Sequence, residues 1–373
     1  MNVSTDIRPS FGGFEFVLKT PTLMHAAAVA LGGSIVYYSF NRKRIAGNND
    51  SLLPATEKKK PAILEPLHNF TYQTTAPMTI RPYKPIYHLN MGIQSLSPNE
   101  LIMLDRNYRM RLAKRRHLMR THHNTTGSLS HASWAVNEFY TYLISNHLPT
   151  RFPTVFNKSP SGTLVLNQTT SDTYPVIPQS SQNALTALGE NLDEDFVFLV
   201  PDAEGVYRVG AFVMCFPNGF DMSSKLGATM DEIHKPVPEL QAKLGKSIER
   251  HFARMTPGVE NGVKRTNWGI ARSSELWTPQ GTHVYDGEEI PEDVAINPEE
   301  CCLRVERQTI WKLPGTGAIV FGIKTYLTPL SEIKQEAGEA EKLATAIEGL
   351  GDKMGRYKAR GVWGRQVLQY LRA

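Results

Sequence analysis

The period of the hydrophobic pattern changes along the chain, and each change marks an element. Residues 23–40 (LMHAAAVALGGSIVYYSF) are predominantly apolar, with no Asp, Glu, Lys or Arg. From residue 101 the spacing becomes helical. Leu101, Leu104, Tyr108, Arg111, Leu112 and Arg115 recur every few positions, as on one face of an amphipathic helix. Residues 134–148 (WAVNEFYTYLISNHL) keep helical intervals and stop at Pro149, a residue that breaks helix interiors. The pattern then shortens. Residues 196–200 (FVFLV) read as a buried strand, a turn at Gly205 follows, and residues 207–216 (YRVGAFVMCF) read as the returning strand of a hairpin. Pro217-Asn218-Gly219 ends it.

Residues 246–255 are amphipathic and predict a helix, and residues 264–271 (KRTNWGIA) predict another strand. The strongest alternation lies in residues 302–313 (CLRVERQTIWKL). Leu303, Val305, Arg307, Thr309 and Trp311 face one way, and Arg304, Glu306 and Gln308 the other. Pro314-Gly315-Thr316-Gly317 turns the chain into a strand at 318–327, and residues 332–350 and 354–371 predict two closing helices. Helices, then antiparallel strands interrupted by helices, then helices: this order predicts an α+β fold rather than a doubly wound sheet. No GxGxxG follows a strand, and GxxxxGK[ST] and GxSxG do not occur. The usual phosphate-binding loops and nucleophile elbow are therefore absent.

The pattern divides the chain into a tail (1–22), a transmembrane anchor (23–40), a linker (41–79), a folded domain (80–335) and C-terminal helices (336–373). The anchor has 18 residues, and a helix of that length reaches about 27 Å, barely a bilayer core. Tyr37 and Tyr38 stand at one end, followed by Asn41-Arg42-Lys43-Arg44. The positive-inside rule then puts the folded domain on the cytoplasmic side of a membrane. A buried helix or a removed targeting segment are the alternative readings. The three cysteines, Cys215, Cys301 and Cys302, form no disulfide framework and fit a reducing compartment. The net charge is only +5. The basic run 106–120 reads as a helix with a solvated basic face, its Arg stems covering apolar surface. Only Tyr108 offers base stacking there, so no nucleic-acid partner is expected. Residues 122–133 read as a polar loop; His122 and His123 have no carboxylate near them in sequence to complete a metal site.

Four islands mix polar, charged and aromatic residues within apolar surroundings: His234, residues 265–268 (RTNW), residues 304–309 (RVERQT) and residues 105–108 (DRNY). Arg307 points with the apolar set, so it needs an anion, either a structural carboxylate or an acidic ligand group such as a propionate. His234 ends a short helical turn that Pro236 and Pro238 stop. It reads either as a turn histidine making two hydrogen bonds or as the single axial ligand of a heme. Heme brings four nitrogen donors of its own and needs one imidazole from the protein. Val213, Met214, Phe216, Leu226, Ile233 and Val237 would then line it.

The run CFPNGFDMSSKLGATMDEIHKPVP (215–238) resembles a block of the heme-dependent oxidative N-demethylase-like family, whose fungal members are also called the HRQ family. RTNWGI and LRVERQTIWKLPGTGAIVFGIKTYLTPL resemble two further blocks, and LDRNYRMRLAKRR and LPTRFPTVF match earlier ones. The resemblance covers roughly residues 80–335 in the same order. It implies a PAS-like antiparallel sheet with surrounding helices that holds heme b through one histidine. It also implies O2-dependent demethylation of a small secondary amine such as dimethylamine, with electrons from an external flavin and iron–sulfur reductase. Carried over residue by residue, His234 becomes the iron ligand. Arg304, Arg307 and Trp268 become heme-binding candidates, and Arg265, Asn267 and Glu306 catalytic ones. Two positions depart from the pattern. Phe220 stands where Trp is usual, and Glu306 stands where the HRQ name implies His. A non-catalytic PAS-like heme sensor and a cofactor-free membrane-tethered scaffold are the rival readings.

Overall fold

The computed structural model describes residues 63–290 and 294–373. In chain order its strands are β1 (Gln94–Ser95), β2 (Thr126–Ser128), β3 (Phe156–Lys158), β4 (Leu164–Asn167), β5 (Asp172–Pro175), β6 (Asp195–Pro201), β7 (Tyr207–Val213), β8 (Val263–Ala271), β9 (Cys302–Lys312) and β10 (Ile319–Pro329). The helices are α1 (Tyr108–Thr121), α2 (Ser133–Tyr142), α3 (Leu148–Arg151), α4 (Ser181–Asn191), α5 (Met230–His234), α6 (Lys246–Arg254), α7 (Leu330–Gln335), α8 (Glu339–Glu348), α9 (Asp352–Tyr357) and α10 (Arg360–Arg372). The main sheet has the order β1-β8-β9-β10-β6-β7-β2, and β3-β4-β5 form a second, small sheet. Every pairing is antiparallel, so the architecture is α+β.

The last strand, β10, sits at the centre of the sheet, between β9 and β6. β9 is buried at all its positions, because both faces of the sheet are covered. On one face, Phe196 and Phe198 of β6 and Trp311 of β9 pack with α1, α2 and α4 through Tyr108, Phe139 and Leu188. On the same face, Trp268, Leu303 and Val305 pack with α8 and α10 through Ile347, Trp363 and Val367. The other face presents Val197, Leu199 and Ile310 to the segment carrying Met222 and Phe252. The helices at 336–373 thus share a core with β8 and β9. Tyr72, inside the expected linker, is buried against Tyr108 with ring centroids 5.4 Å apart.

Several expectations change at this level. α1 starts at Tyr108; Leu101 and Leu104 are buried ahead of it. Pro149 does not stop the helix. A π-helical turn at Leu143–His147 leads into α3, with Pro149 in its first turn, where a missing N–H costs little. Residues 126–128 of the expected loop form an edge strand on β7. The closing helices are four rather than two. Gly338 (φ 74°) and Gly351 (φ 69°) take left-handed backbone, which stops an α-helix and suits glycine. The apolar run 23–40, read as a membrane anchor, lies outside the described residues. Among the described residues no helix is long and apolar enough to cross a membrane.

The basic helix also differs from expectation. Arg111 and Arg115 are buried, not solvated. Arg115 pairs with Asp195 at 2.5 Å. Arg111 donates to the Thr325 carbonyl at 2.6 Å and lies 3.6 Å from Asp193. Lys324 meets Asp193 at 2.7 Å. The 105–108 island belongs to this core: Lys324 lies 3.7 Å from Asp105, and the Tyr108 hydroxyl donates to the Asn191 carbonyl at 2.6 Å. Glu194, in the same buried region, accepts from the Met103 N–H at 3.0 Å. Burial pushes its carboxyl from 4.5 up to about 7. The folded state therefore binds this proton more tightly than the unfolded state. Its contribution to stability is complete below about pH 4.5 and is lost as pH rises through 7. Glu194→Gln keeps the acceptor and removes the ionisation. The drop in urea midpoint between pH 5 and pH 8 should shrink in the variant; an unchanged drop would refute the assignment.

Candidate functional site

The strand face turned away from the helices forms one wall of a cavity of about 290 Å³, at the small end for ligand pockets. The opposite wall comes from the segment that contains α5 and α6. Met230, Ile233, Val237, Leu244, Ile248 and Phe252 line it from that side. α5 is only one turn long, yet both of its ends are defined. The Thr229 hydroxyl accepts from the Glu232 N–H, and the Glu232 carboxylate accepts from the Thr229 N–H at 2.7 Å, a reciprocal cap. Pro236 and Pro238 follow directly.

His234 is the last residue of α5 and lines the cavity. Its Nδ1 donates to the Met230 carbonyl at 2.9 Å. That bond leaves Nε2 as the bare lone pair, and Nε2 has no hydrogen-bond partner among the described residues. Burial lowers the imidazole pKa, so the ring is neutral near pH 7. A neutral ring with one nitrogen tied to a backbone carbonyl is held in a single tautomer and could serve as a metal ligand through the other nitrogen. Among the described residues no group of three or more His, Cys, Asp or Glu is arranged to hold a metal ion. A one-histidine site suits a metal that arrives with its own donors.

The register of β8 on β9 assembles the polar wall. It pairs Arg265 with Gln308, Asn267 with Glu306 and Gly269 with Arg304. All six line the cavity. Glu306 is buried and accepts from Asn218 Nδ2 at 3.1 Å, Gln308 Nε2 at 3.1 Å and Asn267 Nδ2 at 3.5 Å. Arg304 Nε lies 3.6 Å from it. Arg304 is itself held by the Phe216 and Pro217 carbonyls, at 2.7 and 3.3 Å, while its Nη1 is buried without a partner. Arg265 has no ion-pair partner among the described residues. Its Nε is buried and unpartnered, and burial lowers its pKa. A buried guanidinium without a counter-ion is costly, so Arg265 could receive an anionic group here.

Arg307 does not join the site. It points to the other face, where its guanidinium donates to the Glu100 carbonyl. Among the described residues it has no carboxylate within ion-pair distance, and strand alternation turns it away from Glu306 and the cavity. Trp268 borders the cavity, but its indole belongs to the helix-side core and meets Tyr83 edge-on at 5.8 Å. Of the expected apolar lining, Ile233 and Val237 line the cavity. Val213, Met214, Phe216 and Leu226 pack in core clusters instead. His122 stacks on Trp277 at 4.6 Å.

Among the lining residues that had no functional reading in the sequence are Asn218, His283, Tyr357 and Lys358. Asn218 sits in the Pro-Asn-Gly break, its only sequence signal. His283 comes from a loop strapped to that break, where the Gly219 N–H donates to the Thr278 carbonyl at 2.7 Å. Burial lowers the His283 pKa to about 4. Tyr357 packs against it, ring centroids 4.4 Å apart and tilted by 30°, and ends α9.

A model of the family described as haem-dependent oxidative N-demethylase, alpha subunit-like, matches residues 92–368. The chain belongs to this family. The match runs into α10, past the block resemblance that ends near residue 335. The N-demethylase-like family is heme-dependent by description, and the residues present fit that group. The cavity is apolar on the α5–α6 side and cationic on the strand side, as an amphiphilic macrocycle bearing carboxylates requires. His234 offers a free Nε2, and Arg265 and Arg304 offer unpartnered N–H groups. At Gly269 an added Cβ would meet nothing within 4 Å, so the backbone there leaves space. Filling it is a direct test. Gly269→Leu should cut heme loading at least about tenfold while leaving the unfolding free energy within about 1 kcal/mol of the parent; full loading would show that the space is not used.

Proposed function

We propose that the chain is a heme-dependent monooxygenase that oxidatively demethylates a small secondary amine. The observation that supports this reading best is the His234 imidazole: neutral, fixed by the Met230 carbonyl, and facing a cavity whose far wall is cationic. His234 would hold the iron, and Arg265 and Arg304 would hold the propionates. When bound, heme supplies the O2-activating redox chemistry. The electrons would come from a separate flavin and iron–sulfur reductase, because the sequence carries no motif for either cofactor. Glu306 would take the substrate ammonium. Its carboxylate is kept in place by Asn218, Asn267 and Gln308, and an alkylammonium carries N–H groups for it. The apolar wall of Ile233, Val237 and Phe252 would exclude water from the reacting carbon. We read the antiparallel sheet, with its last strand at the centre, as PAS-like.

The test is amine-dependent turnover. The heme-loaded full chain, supplied with a surrogate flavin and iron–sulfur reductase, should consume O2 and form formaldehyde when dimethylamine is added. Stoichiometric heme with no amine-dependent consumption for any small secondary amine would move the reading to a heme sensor. A colourless, folded protein would remove the heme mechanism altogether.

A further inference from the structure

The proposed reaction gives no role to Lys358 of the cavity wall. Lys358 follows the C-terminal end of α9 and lines the cavity. Its Nζ donates to the Trp268 carbonyl at 2.5 Å and lies 3.4 Å from Asn267 Oδ1. It has no carboxylate within ion-pair distance among the described residues. Asn267 stands between it and Glu306, its Nδ2 being 3.5 Å from the Glu306 carboxylate. The charged or titratable groups felt by this amine are Glu306, Arg265 and His283. Burial, opposed by Glu306 and reinforced by Arg265, brings the pKa of Lys358 down to about 8.

A lysine amine that is desolvated and beside another cation is the usual form of a carbonyl-trapping nucleophile. We propose that Lys358 is a covalent capture site for small aldehydes, condensing reversibly with them to an imine inside the cavity. The Nζ lone pair forms a bond to the carbonyl carbon as the C=O π pair moves to oxygen. The ammonium proton passes to that oxygen, giving a carbinolamine. Glu306, carrying the proton that the Lys358 ammonium sheds through solvent water on becoming the free amine, returns it by the same route to the hydroxyl; water leaves, and the C=N bond forms as nitrogen gives its remaining proton back through solvent to Glu306. One amine and one aldehyde give one imine and one water, with no oxidation or reduction. The capture function rests on the demethylase reading only for the source of its aldehyde, the formaldehyde that the amine would release. The chemistry of the site is independent of turnover.

The experiment adds the aldehyde directly. The heme-loaded full chain is treated with dilute formaldehyde and cyanoborohydride, and N-methylation is mapped by peptide mass spectrometry over pH 6–10. At pH 7 an amine of pKa about 8 is unprotonated roughly 300-fold more often than an ordinary lysine. Lys358 should therefore be methylated first, ahead of the exposed Lys235 and Lys246, with a labelling midpoint near pH 8. Glu306→Gln should slow its labelling at least about tenfold and leave that of Lys235 unchanged. Labelling of Lys358 no faster than of the exposed lysines would overturn the proposal. Labelling in heme-free but not in heme-loaded protein would overturn it too, making Lys358 a contact of the bound heme. Rapid labelling of Lys358 in a chain that shows no amine-dependent turnover would uphold capture while the demethylase reading fails.

Discussion

Replacing His234 with alanine should leave a folded protein that no longer retains stoichiometric heme. The parent, purified from cells supplied with heme precursor, should show a Soret band at about one heme per chain. The variant should bind more than about 100-fold more weakly, since loss of an outer-shell partner alone costs 10- to 100-fold in metal sites. Folding should survive because His234 is half-buried at the end of a one-turn helix capped by Thr229 and Glu232, not by the imidazole. His234→Gly offers a second readout: added imidazole should restore the band. A variant that keeps its heme with an unchanged spectrum would refute the ligand assignment. A second arm concerns Met230, whose carbonyl takes the Nδ1 proton. That bond is to the main chain, so Met230→Leu should leave the spectrum unchanged.

Asp195→Ala should be the most destabilising single change in the described structure, at about 3–5 kcal/mol, because it leaves the Arg115 charge buried without its partner. Arg115 is fully buried and pairs with Asp195 at 2.5 Å. The same carboxylate accepts from the N–H groups of Cys215 and Phe216, at 2.7 and 3.0 Å. Those two residues lead into the Pro217-Asn218-Gly219 break. From there the Phe216 and Pro217 carbonyls hold Arg304, and Asn218 reaches Glu306. The substitution should therefore lower the urea midpoint and weaken heme retention together. Asp195→Asn, which keeps an acceptor for one N–H, should lose less of both. A loss under about 1 kcal/mol would show that the buried pair does not anchor this turn. The basic helix α1, which reads from sequence as a solvated face, thus holds the turn that completes the site.

What the sequence determined is whatever depends on neighbours a few residues apart. The period-two pattern of residues 302–313 placed Arg304, Glu306 and Gln308 on one side and Arg307 on the other, and β9 keeps that division. Pro236 and Pro238 announced that His234 ends a helical turn. The blocks around His234, Arg265 and Glu306 carried the family, which the match over residues 92–368 shows. The short strands β3–β5 escaped, because three or four residues are too few to show a period, and helix α4 escaped with them. Alternation alone does not say which side of a strand meets a cavity, so Arg307 seemed as good an anion anchor as Arg304. Only the packing of α1, α2, α4, α8 and α10 on one face decided that the other face was open to a ligand. Lys358 shows the limit most plainly. It stands 90 positions from the carbonyl it bonds, in a break between two helices. Its depressed pKa comes from burial and from Arg265, and burial is a property of the assembled fold that no local stretch of sequence contains.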